Sequence, residues 1–136
     1  MKEGPSISRI NPPELGTPPG YSQIVQVAAS RLIFIAGQTA LDSEGIVVGI
    51  GDFAAQAERV FDNLGIALRT AGCSAANVVK MTVFLTDMSN LSSYREARNR
   101  FFATVSPPAA PAVTLVEVSQ LYGPHFLIEV EAIAAA

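Results

Sequence analysis

The sequence predicts an α+β fold, one sheet carrying both of its helices on a single face. Three observations predict it. Two segments have the apolar period of amphipathic helices, several runs alternate like half-buried strands, and the two kinds of element interleave along the chain. At 136 residues the chain is long enough for one core, so residues 1–136 read as a single domain.

Taken in order, residues 1–20 are rich in proline and glycine and read as an irregular leader, with room for a short strand at "SISRI". Two β-type runs follow, "SQIVQVAAS" and "RLIFIAGQTA". The small polar break between them makes them a hairpin candidate. Gly45, Gly49 and Gly51 mark the next stretch as turns. The strongest helix is "DFAAQAERVFDNLGIALRTAG", where Asp52 can cap the first turn. Its Phe53, Ala57, Val60, Phe61, Leu64 and Leu68 form an apolar stripe, and Gly72 supplies the stop. "NVVKMTVFLTD" reads as a strand with Val79, Met81, Val83 and Leu85 on one side and Lys80, Thr82 and Phe84 on the other. A second helix runs from a cap at Asn90 to Val105 with Leu91, Tyr94, Phe101 and Val105 inward, until Pro107, Pro108 and Pro111 stop it. "AVTLVEVSQL" and "FLIEVEAIAA" complete the order β-β-α-β-α-β-β.

The sheet's second face carries information of its own. On the last strand Leu127, Glu129 and Glu131 share one side; on the strand before it, the mixed side is expected to hold Val113, Leu115 and Glu117. Aliphatic residues mixed with a few acids read as a subunit interface with polar pockets. Composition agrees: a chain that is 49% hydrophobic and 15% charged must bury much of its surface, some of it against copies of itself.

Several functional classes are set aside. A net charge of −3 without a basic stripe argues against a nucleic-acid partner. Arg95 and Arg98, three apart, read as part of a solvated helix face. No apolar run approaches the roughly 20 residues that span a bilayer, so no membrane partner is expected. The first residues hold no apolar segment of the secretory kind, and one cysteine excludes an internal disulfide framework; both point to the cytoplasm. Cys73 and His125 cannot make a usual zinc site, Cys73 reading as a small buried residue and His125 as a surface turn residue. The glycines before the first helix lack G-K-[ST], and Asp52 would repel a phosphate there. No metal or cofactor is expected.

What remains is a specific resemblance. "GYSQ", "IAGQTALDSEG", "GDFAAQAERVFDNLGIAL", "AGCSAANVVKMTVFLTD" and "IEVEAIA" together resemble the Rid family, also called YjgF or liver perchloric-acid-soluble protein. The likeness covers roughly residues 21–135 in order, and "VVKMTVFLTDM" and the terminal "IEVEAIA" are its most specific pieces. It implies a chorismate-mutase-like fold, a single mixed sheet with two helices on one face, and a homotrimer whose sheets line a central β-barrel. It also implies clefts between subunits that take a small-molecule metabolite.

The best-known members hydrolyse 2-imino acids to 2-keto acids and ammonia, and their hallmark P-A-R-[ST]-x-V-x-V uses its arginine to clamp the substrate carboxylate. Here the stretch reads Pro111-Ala112-Val113-Thr114-Leu115-Val116-Glu117-Val118, so Val113 stands at the arginine position. Valine offers neither charge nor donor, and no Lys or Arg follows Arg100 in the chain. By the same resemblance Tyr21 matches the tyrosine that approaches the ligand from a neighbouring subunit, Gly37 lies in the matching Gly-Gln pair, and Glu129 matches the acid that positions the hydrolytic water. Thr114 keeps a hydroxyl at the cleft, with Val113, Leu115 and Tyr21 as walls. The reading favoured is a cleft that binds or hydrolyses a small amine or imine, with 2-imino acid deaminase activity weak or absent. The alternative is a working 2-iminobutanoate/2-iminopropanoate deaminase in which another cation, Arg31 or Arg95 of a neighbouring chain, replaces the lost arginine. A ribonuclease or translation inhibitor fits the acidic charge least.

Overall fold

The computed structural model describes residues 4–136. Strands β1 (Ser6–Ile10), β2 (Ile24–Ala28) and β3 (Leu32–Gln38) precede helix α1 (Phe53–Thr70). Strand β4 (Val78–Leu85), helix α2 (Leu91–Phe102), β5 (Ala112–Glu117) and β6 (Ile128–Ala135) follow. β3, β6, β4 and β5 lie side by side in that order in a four-stranded sheet. The sheet is mixed, since β4 runs antiparallel to β6 but parallel to β5, the parallel connection being supplied by α2.

Two expectations are corrected. The runs around residues 22–40 do not form a hairpin, and the strands do not all join one sheet. The strand at "SISRI" is formed, and it takes β2 as its antiparallel partner, Ser6 opposite Ala28 through Ile10 opposite Ile24, in a separate two-stranded ribbon. β3 pairs instead with β6, from Leu32 opposite Ala135 to Gln38 opposite Val130, and the backbones of Arg31 and Ala136 exchange hydrogen bonds of 2.8 and 3.0 Å beyond the ladder. Burial gives the reason. The β3–β6 pairing sets Ile33 and Ile35 beside Ala134 and Ala132 against the core, whereas β2 has no buried residue to contribute.

The core lies between the sheet and α1. The helix buries Phe53, Ala57, Val60, Phe61, Leu64 and Leu68 against Val78, Met81, Val83 and Leu85 of β4 and Ile128, Val130, Ala132 and Ala134 of β6. Asp52 caps it, accepting from the Ala55 N–H at 3.1 Å. At the other end Gly72, at φ +76°, turns the chain so that its own N–H reaches the Arg69 carbonyl and the Cys73 N–H reaches Leu68. Those two bonds satisfy carbonyls that would otherwise be orphaned.

α2 is shorter than its sequence pattern suggests, and Asn90 makes no side-chain cap. The preceding turn is held instead by Asp87, which accepts from Ser89 N–H at 2.9 Å, and by Glu117, which accepts from Met88 N–H at 2.8 Å. The face that α2 buries carries Tyr94, Ala97, Arg98 and Phe102. Arg98 is therefore not on a solvated face, because it falls on the helix's inward stripe and retains only 6% exposure. Among the described residues no helix is long and apolar enough to cross a membrane.

Candidate functional site

The register of the sheet decides where each candidate residue faces. β4 presents Met81, Val83 and Leu85 to the helices and leaves Lys80, Thr82 and Phe84 on the open face; an irregularity between Val78 and Lys80 puts Val78, in place of the expected Val79, with them in the core. In β6, Glu129 lies opposite Phe84 and Glu131 opposite Thr82, so both acids share that open face. In β5, Thr114 lies opposite Thr82 and Val116 opposite Phe84, and they share it too.

Val113 and Leu115 do not. They lie opposite Met81 and Val83, whose side chains are fully buried, and so turn toward the helices. The expected mixed side of β5 is thereby corrected. Alternation had grouped the right residues together, but the parallel register with β4 assigns that group to the covered side. Glu117, opposite Leu85, is occupied with the Met88 backbone.

On the open face the half-buried Glu129 carboxylate lies against Gly37, at the irregularity of β3 between Ile35 and Gln38. A methyl group at residue 37 would overlap that carboxylate, so glycine here makes room for the acid. Burial raises the Glu129 pKa above the ordinary carboxylate value, and the neighbouring Glu131 charge raises it further. Close by, a hollow of about 370 Å³ is lined by Phe34, Lys80, Thr82, Glu131 and Ile133 among others. Lys80 donates to Thr114 Oγ1 at 2.8 Å; burial lowers its pKa, and Glu131 offsets part of the shift.

On the helix side, Tyr21, Val113 and Leu115 line a second hollow, of about 240 Å³, closed by Pro19, Leu91, Tyr94, Arg95 and Arg98. Tyr21 is delivered there by its neighbour. The buried Ser22 donates its N–H to the Pro111 carbonyl at 3.0 Å and its hydroxyl to the Ala110 carbonyl at 2.5 Å, tying the leader to the proline stretch before β5.

The six site residues expected from sequence thus fall into two sets on opposite faces of the sheet. Gly37, Thr114 and Glu129 stand on one, Tyr21, Val113 and Leu115 on the other. Cations absent from the sequence neighbourhood of Val113 are brought in by the fold, Arg95 and Arg98 into the same hollow and Lys80 onto Thr114. Arg31 is not among them; its guanidinium donates to the Ala71 carbonyl at 3.2 Å.

Sequence reasoning also missed Gln56, which is fully buried. Its amide donates to the carbonyls of Gly49 at 3.2 Å and His125 at 2.7 Å, and accepts from Leu127 N–H at 2.9 Å. Three bonds from one side chain set the entry into β6 two residues before Glu129. A polar residue inside the α1 apolar stripe was the available signal. Cys73 is buried and His125 exposed, and the described residues hold no group of three or more His, Cys, Asp or Glu side chains suited to a metal ion.

Residues 14–136 match the profile of the family described as Endoribonuclease L-PSP. The chain is 40% identical over 116 residues to Protein DfrA of Myxococcus xanthus, covering 85% of each chain. It is 38% identical over 114 residues to 2-iminobutanoate/2-iminopropanoate deaminase of Mus musculus, covering 84% of this chain and 79% of that one. A crystal structure of a protein of unknown function of the conserved Rid family, YyfB from Yersinia pestis, superposes with a TM-score of 0.84 at 31% identity, over 96% of this chain and 98% of that one.

The chain belongs to the Rid family. Its two helices packed on a mixed sheet are the architecture of its Rid neighbours, and it is related to 2-iminobutanoate deaminases. Residue 113 of this chain is valine, and Arg95 and Arg98 of α2 line the same hollow.

Proposed function

We propose that this Rid-family chain assembles as a cytoplasmic homotrimer, open faces turned inward around a central barrel. Its inter-subunit clefts bind a small amine or imine metabolite and hydrolyse it where a C=N bond is offered. Glu129 carries the reading. Its carboxylate is half-buried against Gly37, and the neighbouring charge that perturbs it is another carboxylate, Glu131. An acid in that setting attracts a protonated imine or amine and repels an anion. The opposite-face placement of the two residue sets supports assembly, since a cleft holding both draws on two copies.

The chemistry asked of Glu129 is general-base catalysis. Ionised Glu129 takes a proton from water as the water oxygen adds to the imine carbon, giving a carbinolamine. Return of that proton to nitrogen leaves Glu129 ionised to take the carbinolamine hydroxyl proton as the C–N bond breaks, releasing ammonia and leaving the carbonyl product. For 2-imino acids the substrate's own carboxylate meets no guanidinium on the β5 strand, because residue 113 is valine. Losing a bidentate clamp costs several kcal/mol of transition-state binding, or about two orders of magnitude and more in rate.

A coupled assay tests this. The purified chain is added to a pyridoxal-phosphate-dependent threonine dehydratase, and keto-acid release is followed while free imine is scavenged. We expect slow acceleration at most, rising in Val113→Arg. Acceleration equal to that of an arginine-bearing relative would overturn the proposed weakness on 2-imino acids.

A further inference from the structure

Lys80 is the one lysine among the described residues and one of two in a chain that carries seven arginines. Lysine is scarce here, and this one is not spent on an ordinary surface position. It stands half-buried on the open face of the sheet, at the hollow of about 370 Å³ formed over β3, β4 and β6. That volume falls within the roughly 300–1,000 Å³ of small-molecule sites. Phe34, Ala36 and Ile133 give the hollow apolar walls, and Thr82 and Glu131 stand beside the amine as its polar ones.

The amine is held by a neutral partner. Its one hydrogen bond among the described residues goes to Thr114 Oγ1, at 2.8 Å. Burial lowers its pKa, and the charge of Glu131, opposite Thr82 on the neighbouring strand, offsets part of that shift. A partly desolvated lysine beside apolar side chains is the setting in which the free amine, a good nucleophile, becomes available. The charges on this face select its partner. Glu129 and Glu131 share the face with Lys80, β3 brings no charge to it, and Glu117 of β5 is occupied with the Met88 N–H. Two carboxylates repel an anionic ligand and a lysine repels a cationic one. A neutral carbonyl compound meets neither obstacle.

We infer that Lys80 captures a small apolar aldehyde in this hollow as a reversible Schiff base. The free amine adds to the aldehyde carbon, forming the C–N bond as the carbonyl π pair moves to oxygen. A proton passes from nitrogen to that oxygen and gives a carbinolamine. Uptake of one further proton lets the hydroxyl leave as water, and the nitrogen lone pair closes a protonated C=N bond. The step needs no oxidant, reductant or cofactor. Glu131, on the wall of the same hollow, is placed to carry the proton and to balance the iminium, whose charge equals that of the protonated lysine. The alkyl chain rests on Phe34 and Ile133. No step passes through Glu129 or the helix side of the sheet, so the capture is separate from the imine hydrolysis proposed above.

Reductive trapping on the full chain tests the site. Propanal at graded concentration is added with sodium cyanoborohydride, and propylated residues are located by peptide mass mapping. Lys80 and Lys2 are the two side-chain amines available, and N-acetyl-lysine amide supplies the unperturbed rate. We expect Lys80 to be propylated about tenfold or more faster than the model amine, with a rate that saturates in propanal and a pH midpoint below that of the model amine. Relative to the model amine, glyoxylate should react more slowly than propanal, because it carries the charge that Glu129 and Glu131 repel. Thr114→Val should slow the trapping about threefold, and Thr114→Ser should restore it. Lys80→Arg should keep the melting temperature and lose the saturable adduct. Should that variant fail to fold, the wild-type rate and its saturation decide the matter. Trapping at Lys80 no faster than the model amine, a rate linear in propanal, or a saturable adduct surviving in Lys80→Arg would each overturn the capture. Absence of imine hydrolysis in the coupled assay would sink the preceding reading without touching this one.

Discussion

At the scale of single residues, Glu129 has consequences that can be measured without knowing the substrate. Its folded pKa lies above the 4.5 of an unperturbed glutamate, first through burial and then through Glu131. The folded chain therefore holds this proton more tightly than the unfolded chain, and the contribution to stability falls as pH rises through the window above 4.5. Glu129→Gln removes that penalty. In urea unfolding the variant is expected to be more stable than wild type at neutral pH and to match it well below pH 4.5, while hydrolysis of any accepted imine drops about a hundredfold or more. A variant less stable at neutral pH would mean that the ionised acid is held by a favourable contact. This residue was legible in the sequence only through the family resemblance. Arg98 was read onto a solvated face, although its spacing from Tyr94, Ala97 and Phe102 is that of an inward stripe. Its charge argued for solvent, and the fold overrode that argument.

At the scale of elements, the helices and strands were visible as periods, while their partners were not. Period two says which residues share a face; it does not say which face is covered. That is why Val113 and Leu115 were grouped correctly and placed on the wrong side, and why β2 and β3 looked like a hairpin although β2 pairs back with β1 and β3 with β6 at the far end of the chain. The β3–β6 pairing positions the candidate base, since the irregular stretch of β3 around Gly37 lies against the Glu129 side chain. Gly37→Ala is expected to push that side chain aside, because the new methyl would lie 2.7 Å from its carboxyl carbon and 2.9 Å from Cγ. Only the flexible acid need move, so the stability cost should be small, about 1 kcal/mol. The hydrolytic rate should fall much as it does in Glu129→Gln. Undiminished turnover in Gly37→Ala would detach the glycine from the site.

At the scale of the whole molecule, the open face is the feature that composition alone foreshadowed. Phe34 is 73% exposed and Leu32 55%, on strand β3, with Ile133 and Val116 on the same side of the sheet. A chain leaving such residues in water gains by covering them with copies of itself. Sedimentation velocity should show the mass of three chains, and Phe34→Asp should shift the boundary toward one chain at micromolar concentration. A monomeric wild type would remove the assembly and with it the shared cleft. The expectation of three copies comes from the family resemblance alone, because a pattern of exposed apolar residues specifies a contact and leaves its symmetry open. One further property belongs to the molecule as an optical object. The chain has no tryptophan and three tyrosines, and two of these, Tyr21 and Tyr94, line the Arg98 hollow. Its ultraviolet emission is thus that of phenol rings alone, most of them at one place, so a ligand entering that hollow announces itself in the intrinsic fluorescence of the unlabelled protein.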